Sequence, residues 1–179
     1  MATSHLSIKM EPVSMELIKG IKEKTGEFRV WNFVFQDTRN GNTRSETLYN
    51  KVPNVFLNAS AQQITGENTY NIGQNLYIAL GSNSTSPTSG DTALLAETIR
   101  KASSDTSVSG SVAYITVFFA SGEATGTHSE FGLFGSGAAT LATASTNSGI
   151  LYSRTVGSIS VASYETLTIT VEITFTSLT

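Results

Sequence analysis

One segment near the carboxyl end restricts the fold of this 179-residue chain more than any other feature. Between residues 166 and 176, apolar residues alternate strictly with threonines and one glutamate. Successive side chains of a β-strand point to opposite faces, so a period of two predicts a strand with one buried face and one face in water. The apolar positions are Leu167, Ile169, Val171, Ile173 and Phe175. We therefore expect a strand of an antiparallel sandwich or barrel.

Several other segments also have the composition of strands. Residues 27–36 carry apolar side chains on both faces, which predicts a central or doubly covered strand. Asn40-Gly41 follows, a dipeptide that tolerates positive φ and favours a hairpin turn, so that residues 43–49 are predicted to return as the partner strand. Further strands are expected at residues 75–80, 111–120, 130–134 and 149–156.

Signals for helices are short. Residues 14–24 place Met15, Ile18 and Ile21 loosely on one side of a short helix, and an arm that docks on a partner fits them equally well. Residues 93–101 predict a helical turn with Asp91 as its N-cap. Residues 50–63 fit a strand that leads into a helix, and residues 82–90 contain only loop-forming residue types.

Together these segments predict a mainly β fold. We expect an antiparallel β-sandwich, jelly-roll-like, with one or two short helices. The predicted organisation is an N-terminal arm over residues 1–26 and a β-sandwich domain over residues 27–179, a length that is enough for one well-buried core.

The surface composition favours packed contacts between subunits. Only 14% of the residues are charged, whereas 49 of the 179 are serine or threonine. Eight of the eleven basic residues lie in the first 51 positions, but they form no stripe that could neutralise a run of phosphates, so nucleic acid is not an expected partner. The absence of cysteine excludes disulfides and thiolate-ligated metals. The sequence contains no run of 18 apolar residues, so no membrane-spanning helix is predicted.

The residues that catalysis usually needs are sparse. The chain has two histidines, His5 and His128, and the second lies in a Gly/Thr/Ser-rich segment that predicts an exposed turn. Four glutamates are candidates for a pair of catalytic acids, but they are expected in turns or on solvent-exposed strand faces. They are Glu123, Glu130, Glu165 and Glu172, the last predicted as an edge charge. We therefore expect no enzyme, no catalytic residues, no cofactor and no metal site.

Four residues are candidates for contacts with other molecules. Trp31 and Tyr114 are aromatic and could stack on a host sugar or contact another subunit, although packing in the core is the competing interpretation. Met15 and Ile18 are the corresponding candidates in the predicted arm.

Four phrases follow one another in order along the second part of the chain. The first reads YIALGSNSTSP at residues 77–87 and continues with DTAL at 91–94. SEFGLF follows at 129–134, GILYSRT at 149–155 and ETLTITVEITF at 165–175. In this order the phrases resemble small tail-fibre and tail-associated proteins of tailed bacteriophages, over about residues 50 to 176. Residues 1–24 have no counterpart in that pattern.

The resemblance implies a structural role. The chain would be a subunit of a virion, assembled in the host bacterial cytoplasm and associated with the tail as part of a fibre, baseplate or adaptor. Its partners would be copies of itself and other virion structural proteins. A capsid-decoration or head-fibre protein is the nearest alternative, and a module that binds a host surface glycan is the second.

Two arginines within these phrases invite a structural interpretation. Arg100 and Arg154 are isolated positive charges in an acidic part of the chain. Each is predicted to pair with a carboxylate such as Glu97 or Glu130, and a buried pair of this kind fixes the register of strands more than it adds stability.

Overall fold

Residues 29–175 are described in the computed structural model, and they form two antiparallel β-sheets packed face to face. The strands are β1 (Arg29–Asp37), β2 (Thr43–Tyr49), β3 (Tyr77–Gly81), β4 (Glu97–Ala102), β5 (Asp105–Ser109), β6 (Val112–Phe119), β7 (Gly126–Gly135), β8 (Ile150–Val161) and β9 (Glu165–Thr174). One sheet has the order β2-β1-β9-β6-β5 and the other β4-β3-β7-β8. The predicted antiparallel β-sandwich is confirmed, whereas the predicted arm lies outside the described residues.

Strand β9 has the alternating burial that was predicted from its sequence. It lies in the middle of the five-stranded sheet, between β1 and β6, and Val171 faces Trp31 on one side and Ile115 on the other. All three side chains are buried, because the apolar face of β9 packs against the second sheet. Glu172 is therefore not an edge charge as predicted: its carboxylate accepts a hydrogen bond from the Asn32 side-chain amide at 2.6 Å.

Strand β1 is central in its sheet but covered on one face only. It pairs with β2 and with β9, as a central strand does. Trp31, Phe33 and Phe35 are completely buried on the inner face, whereas Val34 on the outer face is 43% exposed. Within residues 29–175, the second possibility raised by the sequence, a strand covered on both faces, is therefore not found.

The hairpin and the helix follow from their turn residues. The Asn40-Gly41 turn is present, with Gly41 at φ +76° and the Asp37 N–H donating to the Asn42 carbonyl at 2.8 Å. Helix α1 (Asn54–Thr65) begins after Pro53. Gly66 follows its last residue in a left-handed conformation and caps the last turn. Of the strand and helix expected over residues 50–63, the helix is present and packs Phe56 and Ala59 into the core, whereas Lys51 forms only an isolated bridge with Arg154.

Two segments were predicted wrongly or missed. Residues 93–101 do not form a helical turn: they lead into β4, which pairs with β3 and holds the β-branched Thr98 and Ile99. Strand β5 was missed because all five of its residues are exposed and only Val108 is a large apolar one. Strand β5 forms because it pairs with β6, and its own sequence has no apolar alternation that would predict a strand.

The core lies between the two sheets. Aromatic rings from both sheets meet at its centre, where the Phe33 and Phe131 ring centroids are 4.8 Å apart in an edge-to-face arrangement. Trp31 stacks beside Phe33 with centroids 6.2 Å apart. The contact between Phe33 and Phe131 joins β1 to β7 and therefore links the two sheets.

Candidate functional site

A buried cluster of charged residues joins the second sheet to the long connection between β3 and β4. Glu130 on β7 is completely buried. Its carboxylate accepts hydrogen bonds from the backbone N–H groups of Leu95 at 3.0 Å and Ala96 at 2.5 Å. Arg154 on β8 donates to the same carboxylate from Nη2 at 2.9 Å. Every strong interaction that a buried carboxylate requires is therefore supplied within the fold.

Arg154 extends the cluster to a second carboxylate. Its side chain is only 1% exposed, and its Nη1 donates to Asp91 at 3.0 Å. Asp91 also accepts hydrogen bonds from the Thr88 N–H and hydroxyl. Partial burial acts to raise the pKa of Asp91, but the hydrogen bonds from Thr88 and Arg154 outweigh it and hold that pKa below its ordinary value. Asp91 therefore joins its loop to Arg154 through hydrogen bonds, and its predicted role as a helix N-cap is wrong.

A second buried ion pair lies on β4. Arg100 and Glu97 meet at 2.6 Å, with side chains 3% and 1% exposed. Arg100 also donates to the carbonyl oxygens of Thr143 and Ser148, which belong to the connection between β7 and β8, a segment rich in alanine, serine and threonine. Glu97 accepts from the N–H of Asn147 in the same connection. The predicted pairing of the two isolated arginines with Glu97 and Glu130 is confirmed.

Two glycines of the second sheet lie where a side chain would meet packed neighbours, and one of them, Gly81, lies against this cluster. A Cβ added at Gly81 would lie 2.5 Å from the Ala96 carbonyl oxygen and 2.6 Å from a carboxylate oxygen of Glu130. A Cβ at Gly132 would instead meet apolar side chains, 2.8 Å from a ring carbon of Phe134 and 2.9 Å from a methyl carbon of Leu94. Both glycines belong to the phrases singled out in the sequence, and both are required by space rather than by backbone dihedral angles.

Replacing Gly81 with alanine is expected to lower the free energy of unfolding by about 2–4 kcal/mol, because the new methyl group meets a backbone carbonyl that cannot move away cheaply. Gly90→Ala is the matched control, since the nearest atom to its Cβ is 3.7 Å away, and it should change stability by less than about 0.5 kcal/mol. Urea unfolding of the three proteins measures the difference. Equal midpoints for the two variants would contradict the close approach.

Two residues considered for acid–base chemistry are placed differently from their prediction. Glu130 was expected in a turn or on a wet face, but β7 lies between β3 and β8 and its last six residues are buried. His128 was expected in an exposed turn, yet it is 7% exposed, and its Nε2 lies 2.9 Å from the Ala124 carbonyl oxygen. Both faces of this strand are covered over its last six residues, so a polar residue on it does not face water.

The four residues predicted to contact other molecules lie in different environments. Trp31 is completely buried, and its indole N–H donates to the Ser153 hydroxyl at 3.0 Å. It cannot stack on a sugar or touch another subunit in this fold, so that assignment is corrected in favour of core packing. Tyr114 is half-buried and lies on the wall of a cavity. Met15 and Ile18 lie outside the described residues.

That cavity, of about 300 Å³, lies between the sheets at one end of the sandwich. One wall comes from β5, β6 and β9 and includes Ile115 and Ile173, and the other comes from α1, β8 and the connection after α1. The full lining is Phe56, Ile72, Gly73, Leu76, Thr106, Ser107, Ala113, Tyr114, Ile115, Tyr152, Ile173 and Phe175. No sequence pattern predicted this cavity, because its walls come from six different elements that are separated along the chain.

Within residues 29–175, no three metal-ligating side chains come together, and no helix is long and apolar enough to cross a membrane. The cluster around Glu130 and Arg154 has its hydrogen-bonding groups turned toward one another and toward backbone. It can hold the connection between β3 and β4 against the second sheet, and the Arg100–Glu97 pair does the same for the connection between β7 and β8. No protein-family model, curated protein or solved structure matches the chain.

Proposed function

We propose that this chain is a structural subunit of a tailed-bacteriophage virion, associated with the tail as part of a fibre, baseplate or adaptor. It assembles through contacts with copies of itself and with other virion proteins. The main support for the proposal is that residues from the phage-like sequence phrases come together in one buried cluster of the fold.

Residues from all of the first three phrases converge on the buried cluster. Gly81 and Asp91 come from the first phrase, Glu130 from the second and Arg154 from the third. The carboxylate of Glu130 lies against Gly81, binds Arg154, and is joined through it to Asp91. The resemblance thus rests on residues that hold a scaffold together, which is the expectation for a family that shares a building block and varies its surface.

The surface of the sandwich offers contacts for assembly. The edge strands β2 and β5 each have one hydrogen-bonding neighbour among the described strands. Tyr49 on β2 is 75% exposed and Val108 on β5 is 74% exposed. An exposed strand edge that carries an apolar side chain is a common place for another chain to add. These edges support a role in assembly more than a role as an isolated domain.

The predicted arm supplies a direct test of this proposal. In a phage that carries the gene, removal of residues 1–24 should abolish incorporation of the subunit into particles, because an arm that docks on a partner provides attachment. The sandwich should stay folded, since its described core lies within residues 29–175. Quantitative mass spectrometry of purified particles measures incorporation, and circular dichroism of the purified variant checks the fold.

A finer pair of variants separates attachment from chain length. Met15→Asp with Ile18→Asp puts charges at the predicted contact positions and should reduce incorporation by about tenfold or more, equivalent to about 1.4 kcal/mol of lost contact. Lys19→Asp with Lys22→Asp makes two acidic changes at polar positions of the same segment and is the control. Normal incorporation of the truncated chain would contradict the arm hypothesis. A labelled subunit imaged on the capsid instead of the tail would replace the proposed location with the alternative one.

A further inference from the structure

The two sheets have four edge strands among the described residues, and these edges differ in how open they are to another chain. They are β2 and β5 in one sheet and β4 and β8 in the other. The edge of a sheet presents unpaired backbone N–H and carbonyl groups, to which a further strand can add. Charged side chains that point toward the inside of the sandwich, and segments that cover the edge, oppose this addition.

Strands β2 and β8 protect one another on one side of the sandwich. Arg44 on β2 points inward, with its guanidinium carbon 3.5 Å from the centroid of the Phe35 ring, and it donates to the Ser160 carbonyl of β8. Lys51 forms two backbone hydrogen bonds with Arg154 of β8, at 2.9 and 3.2 Å. These contacts occupy backbone groups of β8 and place an inward-pointing charge on β2.

Strand β4 carries a protecting lysine on the other side. Lys101 is the register partner of Ile78, whose side chain lies in the core, so Lys101 also points toward the five-stranded sheet. Its ammonium group is 5.6 Å from the centroid of the Phe119 ring and pairs with Glu123. A chain that added to β4 would meet this charge, which is a common protection of sheet edges.

Strand β5 has none of these protections. All five of its residues are exposed, and its sequence DTSVS has one charge, at Asp105, and no lysine, arginine or proline. Thr106 is the register partner of the buried Ile115, so Thr106 and Val108 share the inner face of the sheet. Val108 is nevertheless 74% exposed. Strand β5 is therefore an open edge that carries an uncovered apolar side chain.

We propose that β5 pairs with β5 of a second copy of this chain, antiparallel about a twofold axis at Ser107, so that the two five-stranded sheets continue into each other. A second copy is the partner that fits, because it brings the same open edge, whereas β2, β4 and β8 are protected. The inference rests on the proposed assembly of this chain with copies of itself and names the surface that they use.

The sequence of β5 is complementary to itself in this register. Ser107 is the middle one of the five residues, so centring the pair there gives every residue a partner. Asp105 then lies opposite Ser109. Val108 lies opposite Thr106, and two β-branched side chains pack well across a strand pair. The two Asp105 carboxylates are four positions apart, about 13 Å at roughly 3.3 Å per residue, which exceeds the screening length of about 8 Å at physiological ionic strength.

Single engineered cysteines test this pairing in the full-length protein, which has no cysteine of its own. Ser107→Cys places two thiols opposite each other at the axis, so mild oxidation of the purified protein should link two chains. Ser45→Cys is the matched control, because Ser45 is an exposed serine on β2, the other edge of the same sheet. Pairing raises the effective concentration of one thiol near the other, so the Ser107→Cys dimer should form at least about tenfold faster than the Ser45→Cys dimer.

Two further variants test the register. Asp105→Cys and Ser109→Cys should each link to themselves slowly, because each thiol is about 13 Å from its own counterpart. An equimolar mixture of the two should give mainly the mixed dimer, since these positions lie opposite each other. Non-reducing electrophoresis and peptide mass spectrometry identify the products.

Equal rates for Ser107→Cys and Ser45→Cys would overturn the proposal, and self-linked products from the mixture would overturn the antiparallel register. Linkage of Ser107→Cys to a different virion protein in oxidised particles would overturn the choice of partner. The cysteine tests on purified protein report on the edge alone. Equal rates together with normal incorporation into the phage tail would therefore reject the pairing and leave the proposed function standing. A linked dimer of a chain that is absent from particles would reject the proposed function instead.

Discussion

Glu130→Ala is expected to lower the free energy of unfolding by about 3–5 kcal/mol, the cost of breaking a buried ion pair by removing one partner. The substitution leaves the guanidinium of Arg154, which is 1% exposed, with Asp91 as its one remaining carboxylate. It also removes the acceptor of the Leu95 and Ala96 N–H groups. Urea unfolding, followed by the emission of the single tryptophan Trp31, measures the loss, since Trp31 is buried in the folded state.

A matched surface variant shows that burial decides the size of this effect. Glu46 pairs with Arg44 at 2.9 Å, but the two side chains are 42% and 41% exposed. Glu46→Ala should therefore cost at most about 1 kcal/mol, as is usual for exposed ion pairs. If the two alanine variants lose the same stability, the cluster around Glu130 does not hold the connection between β3 and β4 as described.

A further variant distinguishes charge from shape at the same position. Glu130→Gln retains the length of the side chain and one acceptor oxygen, but it removes the negative charge opposite Arg154. Its stability should fall between that of the native protein and that of Glu130→Ala. Limited proteolysis should then cut first between β3 and β4, because the hydrogen bonds of Glu130 fix that connection at Leu95 and Ala96.

The parts of the fold that were predictable are those in which local pattern and tertiary position agree. The alternation of β9 and the Asn40-Gly41 turn each act through their own residues, so the sequence is sufficient to find them. The pairing of Arg100 and Arg154 with Glu97 and Glu130 was predictable for another reason. Isolated charges in a chain so poor in charge require partners within the fold.

The parts that failed are those in which distant segments determine the local structure. Strand β5 exists because β6 offers it a free edge, and its own residues carry no apolar alternation. Residues 93–101 contain Leu95 and Ile99, four residues apart as on one face of a helix, but pairing with β3 overrides that preference. Trp31 was ambiguous because an aromatic residue on a strand suits a core and a binding surface equally well. Its burial depends on the second sheet, which no local pattern places.

Val171→Asp should have the largest effect of a single change in the five-stranded sheet. Val171 is completely buried on β9 and lies between Trp31 and Ile115 in the register of the neighbouring strands. The change loses the burial of a valine, worth about 1.5–3 kcal/mol, and adds a carboxylate that has no partner in an apolar layer. A total of several kcal/mol is a large share of the 5–15 kcal/mol that stabilises a typical domain, so the variant should be largely unfolded at neutral pH.

The neighbouring residue provides the control for this change and connects it to assembly. Thr170 lies on the opposite face of β9, half-buried beside Thr116, whose hydroxyl is 3.0 Å from its own. Thr170→Asp should cost about 1 kcal/mol for the lost hydrogen bond and leave the Trp31 emission native-like. If Thr170→Asp prevents incorporation into particles while the purified protein stays folded, the threonine face of β9 is a contact between subunits in the particle. If Val171→Asp unfolds with a native-like midpoint, the assignment of the inner face of β9 to the core is wrong.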